Sequence, residues 1–545
     1  MSTADEVIKS AEMATPATTK APTGKLWNRI DDVLTRLGDY LNPILVKETR
    51  QALKSRQFTA SFWLVLLFAA GWSFLGISIL MPRVYYLPSG REMLTGYFVI
   101  LCIPLLLVVP FSAFRSLATE CEDGTYELLS ITSLSARQIV TGKLGSAVLQ
   151  MMVFYAALAP CIAFTYLLRG MDVGSIAILL VGTLMVSILF SCVGLVFAGM
   201  SRNRQWQALS SVLLILMLIV GGWIWGLWMM MLLQDGGGLL NQPEFWIGVG
   251  FIMSMYLTVV AMLILIAAAQ NSFASDNRST KLRITMLIQL VVYVGWMIFS
   301  WLYSGVEYFP MMILTYGAMT WVVYGAFLTG EVAELSPRAR RNLPQSFFGR
   351  MFLTWFNPGS ATGYVFIVGS FLALTVAVLF MNVVASAEKP AMAANINSLF
   401  PFAILLWSYM AFYLGLGRLV IVALRKVSDF GVTAVFLIHT LIFTFGAVAP
   451  WFIQTWLQNF RGTAQYNYLQ VGNWVWSLYM AAGGVMMRAR TSQTSIIITM
   501  SLAAVLMFCL NLIWAAQEIE ATRLAAPERV RQDDDEVTAS ASTTG

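Results

Sequence analysis

Charge is what this sequence has least of. Of its 545 residues, 11% are Asp, Glu, Lys or Arg and 58% are hydrophobic, whereas about a quarter of a soluble domain is charged. So few charged side chains cannot cover a globule of this length, which excludes a water-soluble chain and predicts a polytopic membrane protein. Histidine is nearly missing too, and the single His439 excludes mechanisms that need a His pair or a His-rich metal site. The five cysteines, Cys102, Cys121, Cys161, Cys192 and Cys509, lie far apart, so no CxxC metal or redox motif exists and no disulfide framework is implied. Four of them fall in apolar runs, where free Cys serves as a small hydrophobe. The net charge of +6 resides in short loops between apolar runs. That is a topology signal rather than a phosphate-binding face, and nucleic acid is not an expected partner.

What is present begins with residues 1–41, expected to be a disordered cytoplasmic tail. Its first stretch, Met1 to Lys25, is rich in Ala, Thr, Ser and Pro without an apolar core, and is neither signal peptide nor span. Leu41 to Phe58 follows, where Asn42 can cap a helix and Pro43 fits its first turn. Leu45, Val46, Ala52 and Leu53 gather on one side of a helical wheel and Lys47, Arg50 and Lys54 on the other. The pattern reads as an interfacial helix, apolar side toward acyl chains and basic side toward cytoplasmic headgroups or an acidic partner, or else as a basic stop before the first span.

Apolar runs long enough to cross a bilayer then recur. They lie near Phe62 to Leu80, Leu94 to Phe114, Leu144 to Leu168, Ile176 to Met200, Ala208 to Leu233 and Phe245 to Ala269. A second set follows near Ile284 to Tyr303, Met311 to Leu328, Tyr364 to Val384, Leu399 to Val422, Val432 to Pro450, Val471 to Met487 and Ser495 to Ala515. The expected fold is therefore an all-α polytopic membrane protein of about 12 to 13 transmembrane helices, with an N-terminal interfacial amphipathic helix and a cytoplasmic helix between spans two and three.

With the N-terminus cytoplasmic, alternate loops carry Arg115, Arg137 and Lys143, then Arg202 and Arg204, then Arg278, Lys281 and Arg283. Arg338, Arg340, Arg341 and Arg350 come next, then Arg425 and Lys426, then Arg488 and Arg490, while the opposite loops hold only Arg83, Arg91, Arg169, Lys389 and Arg461. The positive-inside rule supports this phasing. An odd number of spans would put the charged tail, residues 517–545 with Asp533, Asp534, Asp535 and Glu536, outside. One re-entrant hairpin would reverse that parity.

The loop from Ala118 to Lys143 is longer than two antiparallel spans require, since helix connections in bundles commonly take about 2 to 8 residues. It contains a break at Gly124, then Tyr126, Leu128, Leu129 and Ile131, then a polar turn through Thr132, Ser133 and Ser135. This spacing predicts a short amphipathic helix that docks something. Together with the preceding NPILVKETRQALKSRQF helix, the stretch EDGTYELLSITSLSARQIVTGKLGSAVL resembles the bacterial permease subunits of ABC-2 type ABC transporters. The matching residues are Glu122, Gly124, Thr125, Glu127, Leu128, Leu129, Leu134, Ser135, Ile139, Val140, Gly142 and Lys143. Ser133 stands where that family often has Pro, and a basic residue is common near the position of Cys121.

The resemblance covers roughly Asn42 to Asn271 and implies a permease core over residues 42–277, an interfacial helix plus six spans. It implies that the loop is the coupling helix, with Glu122, Gly124, Thr125, Glu127, Leu128, Leu129, Leu134, Ser135 and Lys143 toward an ATP-binding subunit. Asn42, Pro43, Lys47, Arg50 and Lys54 would mark the interfacial helix. It further implies a multi-pass protein of the bacterial plasma (inner) membrane, an exporter by family tendency, with a second permease copy as a candidate partner beside the ATPase and the lipid bilayer. The chain itself offers no GxxxxGK[ST], because Gly24-Lys25 and Gly142-Lys143 are each followed by Leu, so ATP and magnesium are expected on the partner and no cofactor or catalytic site on this chain.

Several features have plain alternatives. Glu120, Glu122, Asp123 and Glu127 match no EF-hand spacing and read as coupling contacts or a solvated charged face. His439, within an apolar run, reads as a neutral packing residue ahead of a proton relay. Pro104, Pro110 and Pro160 are expected to kink their helices. Trp223, Trp225 and Trp228 among Gly221, Gly222 and Gly226 suit an interfacial belt with close helix packing, ahead of an entrance for an apolar substrate. Residues 278–516 form a second membrane bundle, accessory or a diverged repeat, with an interfacial helix expected around Phe348, Met351, Phe352, Trp355 and Phe356. An ion-coupled carrier would show midplane charges or unwound Gly/Pro segments in corresponding positions of two repeats. A membrane-embedded lipid or glycan transferase would need a large external loop or several intramembrane carboxylates and His. No residue selects a substrate.

Overall fold

The computed structural model describes residues 42–124, 134–200, 204–235, 238–272, 277–332, 354–388, 393–427, 431–460, 466–483 and 492–522. The described residues form helices and no strand. Twelve of the helices are long and apolar enough to cross a membrane, and the protein is an all-α polytopic membrane protein. This follows from the solvent: hydrocarbon offers no partner to a backbone amide or carbonyl, so each crossing segment must satisfy its own.

Helix α1 spans Pro43–Leu53 and precedes six crossing helices, α2 Arg56–Leu80, α3 Gly90–Glu122, α4 Ala136–Leu167, α5 Val173–Gly199, α6 Arg204–Asp235 and α7 Pro243–Gln270. Helices α8 Ser279–Ser304, α9 Phe309–Leu328, α10 Ser360–Glu388, α11 Ile396–Leu424 and α12 Val432–Leu457 come next, then a short α13 Trp474–Ala482 and α14 Ser492–Thr522. Local chemistry sets many ends. Ser55, Ser135, Asp172, Asn395 and Asn473 each accept a backbone N–H at a helix start, and Gly305, at φ 67°, closes α8 in the left-handed conformation that a side chain would oppose.

Two apolar cores are built. One runs from Ile44 through α2 to α6 into Ala267 and Ala268 of α7; the other starts at Met262 of the same α7 and reaches Ala515 of α14. Helix α7 therefore packs on both. Within the first core, α3 contains a π-turn at Pro104–Val108. Pro110 has no N–H to give the preceding turn, and the carbonyl of Leu105 accepts the Ser187 hydroxyl of α5 instead. The second stretch of residues expected to lie on the interface falls mostly outside the described residues; Thr354–Phe356 forms a short 3-10 turn.

Twelve of the thirteen expected spans each fall on one of the crossing helices. The exception is Val471 to Met487. Its described part is α13, nine residues long, or about 14 Å at 1.5 Å per residue, half the hydrocarbon thickness. Composition alone could not distinguish it, because the stretch is apolar but is interrupted by Asn473, which caps the helix, and by a 3-10 turn at Tyr468–Gly472.

Side-chain pairings give the direction of each pass. Gly417 lies against His439 and Gly446 against Tyr413, so α12 is antiparallel to α11. Ser408 meets Ser501 and Arg418 meets Asn511, so α14 is parallel to α11. Helix α14 must then begin on the face where α12 ended. Between them the chain dips inward, Trp474 Nε1 donating to the Phe443 carbonyl at 2.9 Å, and α13 climbs back, with Ser477 beside both Tyr409 and Tyr466. This is a re-entrant hairpin. It returns the end of α14 to the face that carries α1. The expected basic pair Arg488 and Arg490 lies outside the described residues, and its assignment to the α1 face is not what the flanking helices α13 and α14 require.

An impermeant maleimide should therefore label Gln458→Cys and Gly483→Cys from one side of the membrane, and Arg137→Cys and Lys426→Cys from the other. Labelling of Gly483→Cys from the same side as Arg137→Cys would remove the hairpin and restore a thirteenth crossing.

Candidate functional site

The densest cluster of charge among the described residues lies where α1, α3 and α4 meet, at the face that carries α1. It is organised by Lys143. This side chain is 2% exposed, and its ammonium stands 3.0 Å from Glu48 Oε1 of α1 and 3.0 Å from Glu120 Oε2 of α3. It also donates to the Ser116 hydroxyl at 2.7 Å, and that hydroxyl in turn donates to Glu48 Oε2 at 2.8 Å. Burying an ammonium costs several kcal/mol unless it is paired and hydrogen-bonded, and this arrangement supplies both. Lys47, mostly exposed, approaches Glu120 at 3.9 Å, a solvated contact that contributes little.

Local sequence brings these groups together. Asn42 caps α1, accepting from the Ile44 amide at 3.1 Å, while its own amide donates to the Gln138 carbonyl of α4 at 2.6 Å. Pro43 occupies the first turn. Ile44 then sits on Gly142 and Leu45 on Gly145, and a Cβ at either glycine would press on α1. Glu48, one turn beyond Ile44, is thereby aimed at Lys143. Helix α1 is seated against α4 by Ile44, Leu45 and Glu48, while Val46 on its apolar side is exposed. Lys47, Arg50 and Lys54 are exposed, as the wheel predicts.

In front of the Lys143 cluster lies a cavity of about 500 Å³, whose lining includes Lys47, Gln51, Arg115, Ser112, Asp123 and Gln150. The structure also places the roots of the loop between α3 and α4. Glu122 is exposed in the last turn of α3 and Gly124 follows at φ 67°. Half-buried Leu134 precedes Ser135, which forms a reciprocal capping box with Gln138 at the start of α4. Thr125, Glu127, Leu128 and Leu129 lie outside the described residues. Both roots are thus tied to one buried cation.

Sequence reasoning grouped Glu120 with a solvated acidic cluster; it is instead largely buried on Lys143. Glu48 and Ser116 drew no attention. The available signal was Lys143 itself, a cation at the head of an apolar span, which calls for named partners.

A second buried pair holds the other bundle on the same face. Arg283, expected in a loop, is fully buried inside α8. It contacts Glu331 Oε2 and the Trp355 carbonyl at 2.5 Å each, and Glu331 also accepts the Ser279 hydroxyl at 2.8 Å. His439 is satisfied at both ring nitrogens, 3.0 Å from the Val435 carbonyl and 3.1 Å from Thr329 Oγ1; a carbonyl can only accept, so Nδ1 carries a proton. Trp225 donates inward to Thr183 at 3.2 Å, while Trp223 and Trp228 are exposed. Among the described residues no three His, Cys, Asp or Glu are grouped to hold a metal ion. Compared with protein-family models, with curated proteins and with solved structures, the chain matches none.

Replacing Lys143 by Met should leave two carboxylates uncompensated and lower stability by about 3–5 kcal/mol, the usual cost of breaking a buried pair from one side. Thermal unfolding in detergent reads this directly. Lys47→Met should be near neutral. Equal melting of the Lys143→Met variant and the unmodified protein would mean that the cluster does not hold α1 in place.

Proposed function

We propose that the chain is the membrane-spanning permease subunit of an ABC-2 type transporter of the bacterial plasma membrane, with α1 on the cytoplasmic face and ATP hydrolysed by a separate chain. One observation supports the reading above the others: Lys143 joins the interfacial helix to both roots of the loop that carries the EDGTYELL pattern. A motor subunit pressing on that loop would move α1, α3 and α4 as one body, because the ion pairs and the capping box leave little slack between them. ATP and magnesium belong on the partner in this reading, and this chain contributes no catalytic residue. Export is the expected direction.

The exposed basic face of α1 and the cavity beside it then lie at headgroup depth, and the twelve passes bring the end of α14 back to the cytoplasm. The re-entrant hairpin favours one other reading, an ion-coupled carrier, since a discontinuous helix near the midplane is a feature of such proteins. The two are separated by the energy source. Transport that stops when ion gradients are collapsed and persists without ATP belongs to a carrier.

Leu128→Asp combined with Leu129→Asp should abolish co-purification of an ATP-binding-cassette subunit and the ATPase activity it brings, because buried apolar anchors carry most of an interface's energy. Insertion should be unaffected, since neither residue lies in a span, and Asp276→Ala should change little. A double variant that keeps both its partner and its activity would sink the permease reading.

A further inference from the structure

The re-entrant hairpin spends its polar groups inward. The Tyr409 hydroxyl donates to the Val471 carbonyl at 2.7 Å, Tyr413 donates to the Gly472 carbonyl, and Gln470 Nε2 donates to Gln454 Oε1 at 2.5 Å and to the Pro450 carbonyl at 3.1 Å. Asn473 gives its amide to Gln470 Oε1 at 3.0 Å and accepts the Trp476 amide at 3.1 Å. Non-helical backbone inside a membrane requires such cover. The consequence lies on the other side of the hairpin, where α13 stands away from α12 and leaves a groove of about 530 Å³ lined by Ala447, Val448, Trp451, Asn473, Val475, Trp476 and Tyr479.

Three observations fix what the groove can hold. Its only side-chain amide, Asn473, is hydrogen-bonded through both of its polar atoms, so apart from the indole N–H groups of Trp451 and Trp476 and the Tyr479 hydroxyl the walls present hydrocarbon and aromatic faces. Val448, Trp451, Val475 and Tyr479 are exposed, so it opens sideways rather than into the bundle. Its depth follows from α12: Phe443, where the hairpin turns, lies 14 residues, or about 21 Å, from Leu457 at the far end of that helix. The walls at Ala447 to Trp451 therefore occupy the hydrocarbon of the leaflet opposite α1.

We propose that this groove is a fixed binding site for one hydrocarbon chain of an amphiphile in that leaflet, held between α12 and α13 with Trp451, Trp476 and Tyr479 around it. A predominantly apolar groove of this size, open to lipid, is matched by a flexible chain and disfavours water and polar headgroups. The site belongs to the second bundle and is independent of Lys143, so it stands whether or not a motor subunit couples to the first.

The test uses the full chain reconstituted in phosphatidylcholine vesicles that contain a trace of phosphatidylcholine with a photoreactive diazirine at mid-chain. After illumination, adducts are mapped by peptide mass spectrometry. A retained chain should place adducts on Trp451, Trp476 and Tyr479 several-fold above Phe445, an exposed residue of the same helix that samples bulk lipid. Val448→Trp fills the groove from an exposed position and should cut the adducts at Trp476 and Tyr479 several-fold while leaving Phe445 unchanged. Equal labelling of the groove and Phe445, or insensitivity to Val448→Trp, would reduce the groove to ordinary boundary lipid and overturn the proposal. So would an unlabelled groove accompanied by disulfide-linked dimers of Val475→Cys, since a second copy of the chain would then cover it.

Discussion

A peptide group in hydrocarbon must find its partner within the protein, and this constraint decides most of what the structure looks like. It explains why the described residues hold helices without strands. It also explains the few irregular places, each of which comes with its own cover. Where α3 loosens into a π-turn, Ser187 supplies a hydroxyl to the freed carbonyl. Where the chain re-enters between α12 and α14, two tyrosines and a chain of carboxamides do the same. Small residues make this cover possible: Gly446 leaves the space that the Tyr413 hydroxyl crosses to reach the hairpin.

Charge obeys the same rule with higher stakes. Lys143 and Arg283, both buried at the α1 face, meet carboxylates from other parts of the chain, Lys143 from α1 and α3 and Arg283 from Glu331 just beyond α9, together with additional hydroxyl or carbonyl oxygens. In both cases the partners come from distant parts of the chain, so each cluster fixes the relative placement of three elements. Van der Waals packing alone specifies such placement less sharply, because lipid tails compete for apolar surfaces as well as a neighbouring helix does. Ion pairs at the helix ends therefore complement apolar cores in the middle, and the α1 face is braced in both bundles.

The fold class was legible because hydropathy over about 20 residues is a strong signal, and the twelve crossings fall where it places them. Val471 to Met487 failed for a specific reason. Its composition is that of a span, and only the position of Asn473 and the distant tyrosines of α11 make it a half-helix. At the candidate site, Asn42, Pro43 and Ser135 were readable because capping is local chemistry. Glu48 and Glu120 were not, because their pairing with Lys143 is a tertiary fact between residues 95 and 23 positions apart. A wheel drawn for α1 alone shows a carboxylate among basic neighbours and gives no reason to turn it inward.

The π-turn at Pro104–Val108 divides α3 into two lengths that are out of phase. One residue in excess of regular winding rotates everything beyond it by about 100° and shifts it by about 1.5 Å. The stretch before the turn meets α2 through Trp72 and Tyr97, and the stretch after it meets α5 through Pro110 and Gly194. Because Pro110 permanently removes one backbone donor, the surplus residue is confined near the bilayer's middle rather than free to travel to an end. Helix α3 is therefore wound like a two-part key, each part cut for a different lock, with Glu120 at its tip.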